Sequence, residues 1–521
     1  MNVLHAIVPA LSAVLLACPE QRAEPRGEQH PPQATLSAGV GAVPDVLTLR
    51  RPGGAEWFGI YLAGKKAGWM QTSVERQIRD GREVVVGRSQ QLLKVRVGGN
   101  EVERGQVEER IYEARPGGRL LSFDAQFHGD GGEREVSGTC ARDKCAVRIR
   151  TPGEPDEQRT VEGVTETVEQ VDPARLAAAR RLTVRGRQLD TMKVRVAERE
   201  DVYQGRDRVA GGGVQEEVSV VEESEVGDRM AMEIRIADDG RIVEFSQGKA
   251  ISLRPESEKE AKSLDSVDLL ALGRVVLPRP IPRDIPESVM YRVSGLPQNF
   301  WKNDGRQKFE KGPGGTVVLT VTVRPPAAAD PARDTPLSRA AEGADREDVD
   351  PTVEADGDAP AVAALAREVA GGAPGAYAAA KKLSDHVYRL LEKAYGASHD
   401  RASEVLEVKK GDCTEHAILT VALARALRIP ARTVHGLVYA RYADGQDALY
   451  WHAWVEVRSA GEWIALDPTF GQAVADASHI ALGGGNRVDT VGLLGGLAIS
   501  DVEVREPAAR PGPKPRETRV R

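Results

Sequence analysis

Between Glu56 and about Val323 the apolar residues return at every second position. Examples are Glu83-Val84-Val85-Val86, Leu92 to Val97, Val107 to Ala114, Met192 to Val196 and Thr316 to Val323. Side chains alternate across a strand, so a period of two with glycine-rich turns between the runs predicts antiparallel sheet. Two helices are expected to interrupt it, at Pro173 to Arg181 and at Ser257 to Leu272. Two stretches resemble each other, Glu109 to Phe123 and Met232 to Phe245; both read as strand, glycine turn, strand, a pattern that hairpin chemistry alone also produces. No group of catalytic side chains gathers in this half, which reads as a scaffold or binding domain.

A chain of 521 residues exceeds one core, since single cores stop growing at roughly 250–300 residues. The composition changes at Arg324. From Pro325 to Pro360 there are ten acidic residues against three basic ones, and no aromatic side chain occurs from 310 to 376. Such a segment buries too little apolar surface to offset its ordering entropy, so a linker is expected over 324–360. Helical periodicity follows over Val362 to Val369 and Tyr377 to Tyr395. The resulting division is a leader-like segment at 1–18, a polar tether at 19–54, a β-rich domain at 55–323, the linker, a second domain at 361–503 and a basic proline-rich tail at 504–521.

The first twenty residues hold the apolar run that bears on membranes. Ala6 to Ala17 has signal-peptide length and is shorter than the roughly 20 residues of a spanning helix. It ends Leu15-Leu16-Ala17-Cys18, similar to a bacterial lipobox, in which Cys18 carries lipid; unlike that pattern, no Lys or Arg precedes the run and Pro9 interrupts it. The expectation is export to the periplasm or cell envelope, with membrane contact only through a lipid anchor at Cys18. Cys140 and Cys145 flank Ala-Arg-Asp-Lys between alternating runs, where a hairpin would let them bond in an oxidising compartment. A net charge of −7 offers no basic footprint, so nucleic acid is not an expected partner.

Chemistry concentrates in residues 411 to 471, where three of the six tryptophans also fall, at Trp451, Trp454 and Trp463. Gly411-Asp412-Cys413-Thr414-Glu415 precedes an apolar run from Ala417 to Leu427, and Asp412 with Glu415 three residues on is a capping-box start signal. Cys413 is therefore expected in the first turn of a buried helix, where the backbone dipole favours a thiolate. Leu449 to Val457 and Glu462 to Leu466 flank Arg458-Ser459-Ala460-Gly461 as a hairpin. Centred between Ser459 and Ala460, it places His452 directly opposite Asp467, and a bulge at Gly461 would slip that register. A carboxylate there would hold one imidazole nitrogen and leave the other to take a proton from Cys413, the nucleophile–base–orienter arrangement. A zinc site from Cys413, His416, His435 and His452 matches no compact ligand spacing. No metal or cofactor is expected, and His416 and His435 read as packing or supporting groups.

Four blocks in this order resemble the transglutaminase-like superfamily. They are Gly411-Asp412-Cys413-Thr414-Glu415-His416-Ala417, Arg425-Ala426-Leu427-Arg428-Ile429-Pro430-Ala431-Arg432, His452-Ala453-Trp454-Val455-Glu456-Val457 and Trp463-Ile464-Ala465-Leu466-Asp467-Pro468-Thr469. The likeness spans about Gly375 to Gly471. It implies an α+β papain-like, transglutaminase-like domain behind the large antiparallel β-rich domain, with Cys413 as nucleophile, His452 as general base and acid, and Asp467 as orienting carboxylate. It implies acyl transfer from amide bonds through a thioester, with hydrolysis (protease or amidase) preferred over crosslinking and a protein or peptide substrate such as a peptidoglycan peptide. The alternative class is a non-catalytic envelope scaffolding lipoprotein that retains the fold. Gln472 and Ser478-His479-Ile480 also look like bacterial members, without an assignable role.

Overall fold

The computed structural model describes residues 54–505 apart from 98–99, 130–131, 154, 172–182, 212–213, 227–230, 282–286, 395–400, 442–445 and 484–492. Cys18 and its apolar run, the tether before residue 54, the tail beyond 505 and the helix expected over Pro173 to Arg181 lie outside the described residues.

Among the described residues, fourteen strands form one antiparallel sheet. Eight run as a meander from Glu56–Leu62 outward to Glu157–Glu162. Six more run from Thr183–Asp190 back to Ile251–Glu256, which pairs with the first strand and sets Ile60 opposite Leu253. The alternation supplies the packing face: Phe58, Ile60, Met70, Leu93, Ile234, Phe245 and Leu253 meet in one buried core. A second core forms around Tyr112, Phe123, Val136, Ile149 and Leu189. Buried beside it, the Arg110 guanidinium donates to Glu108 at 2.9 Å and to Glu166 at 2.7 Å, and the Tyr112 hydroxyl donates to Glu166 at 2.5 Å. Every buried charge in this cluster has a partner, the condition under which such a cluster is tolerated. The two similar stretches are both hairpins of this sheet, each with a register shift, between Ile111 and Tyr112 and between Arg235 and Ile236. Cys140 and Cys145 face each other across a tight turn and are disulfide-bonded.

Three expectations are corrected. The helix over Ser257 to Leu272 is two short helices, Glu258–Ala261 and Leu269–Gly273. Between them the backbone bonds to the sheet instead, Asp265 N–H to the Lys66 carbonyl and Arg96 N–H to the Val267 carbonyl, and Asp268 then caps the second helix. The β-rich region does not close as one unit at 323. Val275–Val276 pairs with Asp447–Ser459, while Ser288–Ser294, Gln307–Lys311 and Val317–Thr322 form a four-stranded sheet with Ala498–Arg505. Val289, Tyr291, Leu319 and Val321 of that sheet share a core with Leu437, Leu449 and Ile480.

The segment 324–360 is no loose linker. Ala328, Ala340 and Ala355 are buried in the C-terminal core, and Val349 is buried too. Its acids work as caps: Asp334 accepts from the N–H groups of Tyr377 and Ala378 at the start of helix Ala376–Leu390 and from the Ser459 hydroxyl at 2.7 Å. Asp356 does the same for Ser403. Small apolar side chains and satisfied helix ends replace the large hydrophobics that the composition lacks.

The helices Ala376–Leu390 and Cys413–Ala426 pack on the sheet of Ala431–Arg441, Asp447–Ser459 and Glu462–Leu466, and the helices Pro360–Ala370 and Ala402–Val408 pack against Cys413–Ala426. The helix Cys413–Ala426 is buried on nearly every side, as an apolar run without a polar face requires.

Candidate active site

Cys413 is the first residue of its helix and is half-buried. Asp412 caps it, accepting from the N–H of Thr414 at 2.9 Å and of Glu415, while the Glu415 carboxylate returns to the Asp412 N–H at 2.9 Å. Glycine is required at 411, since a Cβ there would lie 2.2 Å from the Glu415 Cβ. Burial and the nearby Asp412 carboxylate push the Glu415 carboxyl well above the ordinary carboxylate range. The N–H groups of Thr414 and Glu415 are thus engaged by Asp412.

The strand Asp447–Ser459 directs Ala453, Val455 and Val457 to the helices and His452, Trp454 and Glu456 to the opposite face. The hairpin register differs from the sequence count. Its two turn residues are Ala460 and Gly461, both left-handed at φ 52° and 78°, so Ser459 pairs with Glu462 and Val455 with Leu466. Asp467 follows the last pair and reaches His452 on the diagonal instead of directly across. The contact forms all the same: His452 Nε2–H donates to Asp467 Oδ2 at 2.9 Å, with both side chains fully buried. His452 Nδ1 has no protein hydrogen-bond partner. The Phe470 ring stacks on the imidazole at 4.8 Å and 10°, with Trp454 behind it at 6.1 Å.

Asp467 is over-determined. Its Oδ1 accepts from the N–H groups of Thr469 at 2.7 Å and Phe470 at 3.0 Å, and its Oδ2 accepts a second imidazole N–H, from His479 Nε2, at 2.9 Å. Burial alone would raise its pKa, but His452 and His479 together hold it well below the usual carboxylate range. His479 Nδ1 in turn meets Asp476 Oδ1 at 3.0 Å. The sequence marked Gln472 and His479 without a role; Gln472 proves to support Asp476, donating to its carboxylate at 2.8 Å. Asp476 and Phe470 gave no sequence signal, because neither belongs to a pattern that by itself carries chemistry.

His416 is buried one turn into the cysteine helix. Its Nδ1–H donates to the Asp412 carbonyl at 2.6 Å, and burial lowers its pKa although the Asp467 charge is felt there and raises it. His435 lies on the strand Ala431–Arg441, opposite Ala453. Among the described residues, the side chains whose ligand atoms converge are His452 with Asp467 and His479, and separately Asp345 with Glu347 and Asp348; neither set is the Cys413, His416, His435 and His452 group weighed for zinc. The hydrogen bonds given above account for the first set without an ion.

A half-buried cysteine at a helix start and a buried His–Asp pair on an adjoining antiparallel sheet define the α+β, papain-like class. Residues 363–468 match the family model of the transglutaminase-like superfamily, and the C-terminal domain is a transglutaminase-like domain. Among solved structures the chain is similar to a candidate cysteine protease from Cytophaga hutchinsonii, at 17% identity over 42% of this chain and 85% of that one, TM-score 0.26. It is also similar to the periplasmic domain of TgpA from Pseudomonas aeruginosa bound to ethylmercury, at 19% identity over 35% and 71%, TM-score 0.23. A third is a TGase, at 16% identity over 31% and 43%, TM-score 0.17. No curated protein matches the chain.

Proposed function

We propose that this chain is a thiol acyl-transfer enzyme that opens amide bonds through Cys413, His452 and Asp467. The observation that carries the reading is the state of the His452 ring. Nε2 faces a carboxylate and must hold the proton, so in the neutral ring the lone pair sits on Nδ1, which has no protein partner. A base fixed in one tautomer by a buried acid is what activation of a thiol requires.

In the proposed reaction Nδ1 takes the Cys413 proton and the thiolate attacks the amide carbonyl. The resulting imidazolium returns the proton to the departing amine as the C–N bond breaks, leaving a thioester on Cys413. Water, deprotonated by His452, then attacks the thioester, releasing the acid and restoring the thiol. Hydrolysis is preferred over transfer to an amine, in line with the resemblance to bacterial members that carry export signals, and peptide is the substrate class. The disulfide between Cys140 and Cys145 supports an oxidising, exported setting, as does the lipobox-like Cys18.

The test is iodoacetamide labelling of Cys413 against pH, with turnover of 4-nitrophenyl acetate as an acyl-transfer readout. A thiol that titrates well below the ordinary value of about 8.5 is expected. Cys413→Ala and His452→Ala should abolish turnover, and Asp467→Asn should cut it by about 10³–10⁴ by favouring the wrong tautomer. Full turnover in Cys413→Ala would end the proposal. Release of free acid, against incorporation of a fluorescent amine, separates hydrolysis from crosslinking.

A further inference from the structure

The acid of the proposed centre has a second histidine on the same oxygen that already holds the first. Both ring nitrogens of His479 face carboxylates, Nε2 to Asp467 Oδ2 at 2.9 Å and Nδ1 to Asp476 Oδ1 at 3.0 Å. A neutral imidazole has one N–H and one lone pair, so it would set a lone pair against one of the two carboxylates. Only the doubly protonated ring satisfies both.

The surroundings are built to keep it so. His479 is fully buried. Asp476 is fixed by the Ser478 N–H at 2.8 Å, the Ser478 hydroxyl at 2.5 Å and Gln472 Nε2 at 2.8 Å. The half-buried Arg306, just ahead of strand Gln307–Lys311 of the neighbouring sheet, donates to the carbonyls of Ala475 and Asp476 and so clamps the loop. The other groups facing the ring are His452 at 5.9 Å between centroids, Trp454 at 5.2 Å and Phe470 at 6.3 Å; Tyr291 feels the Asp476 charge from that neighbouring sheet. Burial disfavours charge on His479, but the hydrogen bonds to Asp467 and Asp476 outweigh it and raise its pKa, and His479 holds Asp476 below the usual carboxylate range.

We propose that His479 is a positioning residue for the Cys413–His452–Asp467 centre, a standing imidazolium that pins Asp467 Oδ2 and offsets its charge. The inference rests on the acyl-transfer reading given above. Asp467 Oδ2 accepts from His452 and from His479, each at 2.9 Å, so the second ring fixes how the carboxylate faces the first. With His479 charged beside it, Asp467 orients His452 while its charge is already matched. The His479 side chain touches no reacting atom; it acts through Asp467.

Histidine-selective ¹⁵N NMR of the full chain tests this, with His479→Gln and His452→Gln assigning the signals and 4-nitrophenyl acetate turnover as the second readout. In the wild type, His479 should keep both protons through the range near pH 6.5 where an ordinary imidazole loses one. In His479→Gln the partner on Asp467 Oδ2 is neutral, so the loss of turnover should fall on kcat with KM kept. Turnover should fall about ten- to hundredfold, as when a partner one step behind a working histidine is lost. If His479→Gln does not fold, Asp476→Asn serves: with one carboxylate removed, His479 should lose a proton at lower pH than in the wild type. A His479 that titrates as an ordinary imidazole overturns the proposal, as does a loss confined to KM in His479→Gln or an unmoved His479 in Asp476→Asn. Wild-type turnover that depends on Cys413 alongside any of those results removes only the role of His479. A wild type with no Cys413-dependent turnover removes the acyl-transfer reading and the positioning role with it, even where His479 is doubly protonated.

Discussion

Lys302 donates to Glu456 at 2.6 Å although 154 residues separate them in sequence. Glu456 belongs to the strand of His452, and Lys302 to the four-stranded sheet region, so this part-buried pair fastens that sheet to the wall of the candidate site. Arg432 completes the cluster at 2.8 Å and lies over the Trp463 ring at 3.9 Å. The two cations outweigh the burial penalty and hold the Glu456 carboxyl below its ordinary range. Glu456→Ala removes the shared carboxylate, leaving Lys302 with Asp304 at 3.5 Å, and should cost about 1–3 kcal/mol in urea unfolding. Glu456→Gln, which keeps shape and partial hydrogen bonding, should cost less.

Stability should depend on pH from both sides of the His479 cluster. Asp467 and Asp476 are depressed in the folded state, so their contribution is complete above the unfolded carboxylate value of about 3.9 and is lost as pH falls below it. His479 is raised, so its contribution is complete below the unfolded imidazole value of about 6.5 and declines as pH rises toward its folded value. Thermal midpoints measured across this range should peak between the two limits. The decline on the alkaline side should be absent in His479→Gln.

Gly436 lies opposite His452, and a Cβ there would come within 1.9 Å of the Ile480 carbonyl and 2.9 Å of the Trp454 ring. Gly436→Ala should break the pairing of Gly436 with Ala481 and displace the loop that carries His479. A loss of about 1–3 kcal/mol is expected, and limited proteolysis should cut near residue 480 sooner than in the wild type.

Arg110 belongs to the fourteen-stranded sheet and Cys413 to a helix of the C-terminal domain, so the two should respond separately to substitution. Arg110→Ala strands Glu108 and Glu166 in the interior and should cost about 3–5 kcal/mol. Iodoacetamide labelling of Cys413 below the melting temperature should be unchanged.

The antiparallel sheet was legible because its signal is local: a period of two over hundreds of residues leaves few alternatives. The cysteine helix was legible for the same reason, with Asp412 and Glu415 marking its start. Pairing across the Ala460–Gly461 turn was missed by one position on each strand, because an alanine in the left-handed region is not signalled by its residue type. Composition misled over 324–360, where Asp334 and Asp356 read as solvated charge but cap helices distant in sequence. The His479–Asp476 pair was illegible for a related reason: the meaning of each lies in the other and in Asp467, and proximity of that kind is a property of tertiary folding.

Ser288 and Arg505 are register partners, so the stretch between them enters and leaves the four-stranded sheet side by side. A segment whose two ends coincide meets the geometric condition for being carried as a cassette, since it can be spliced into a host chain at a single point without spreading the host apart.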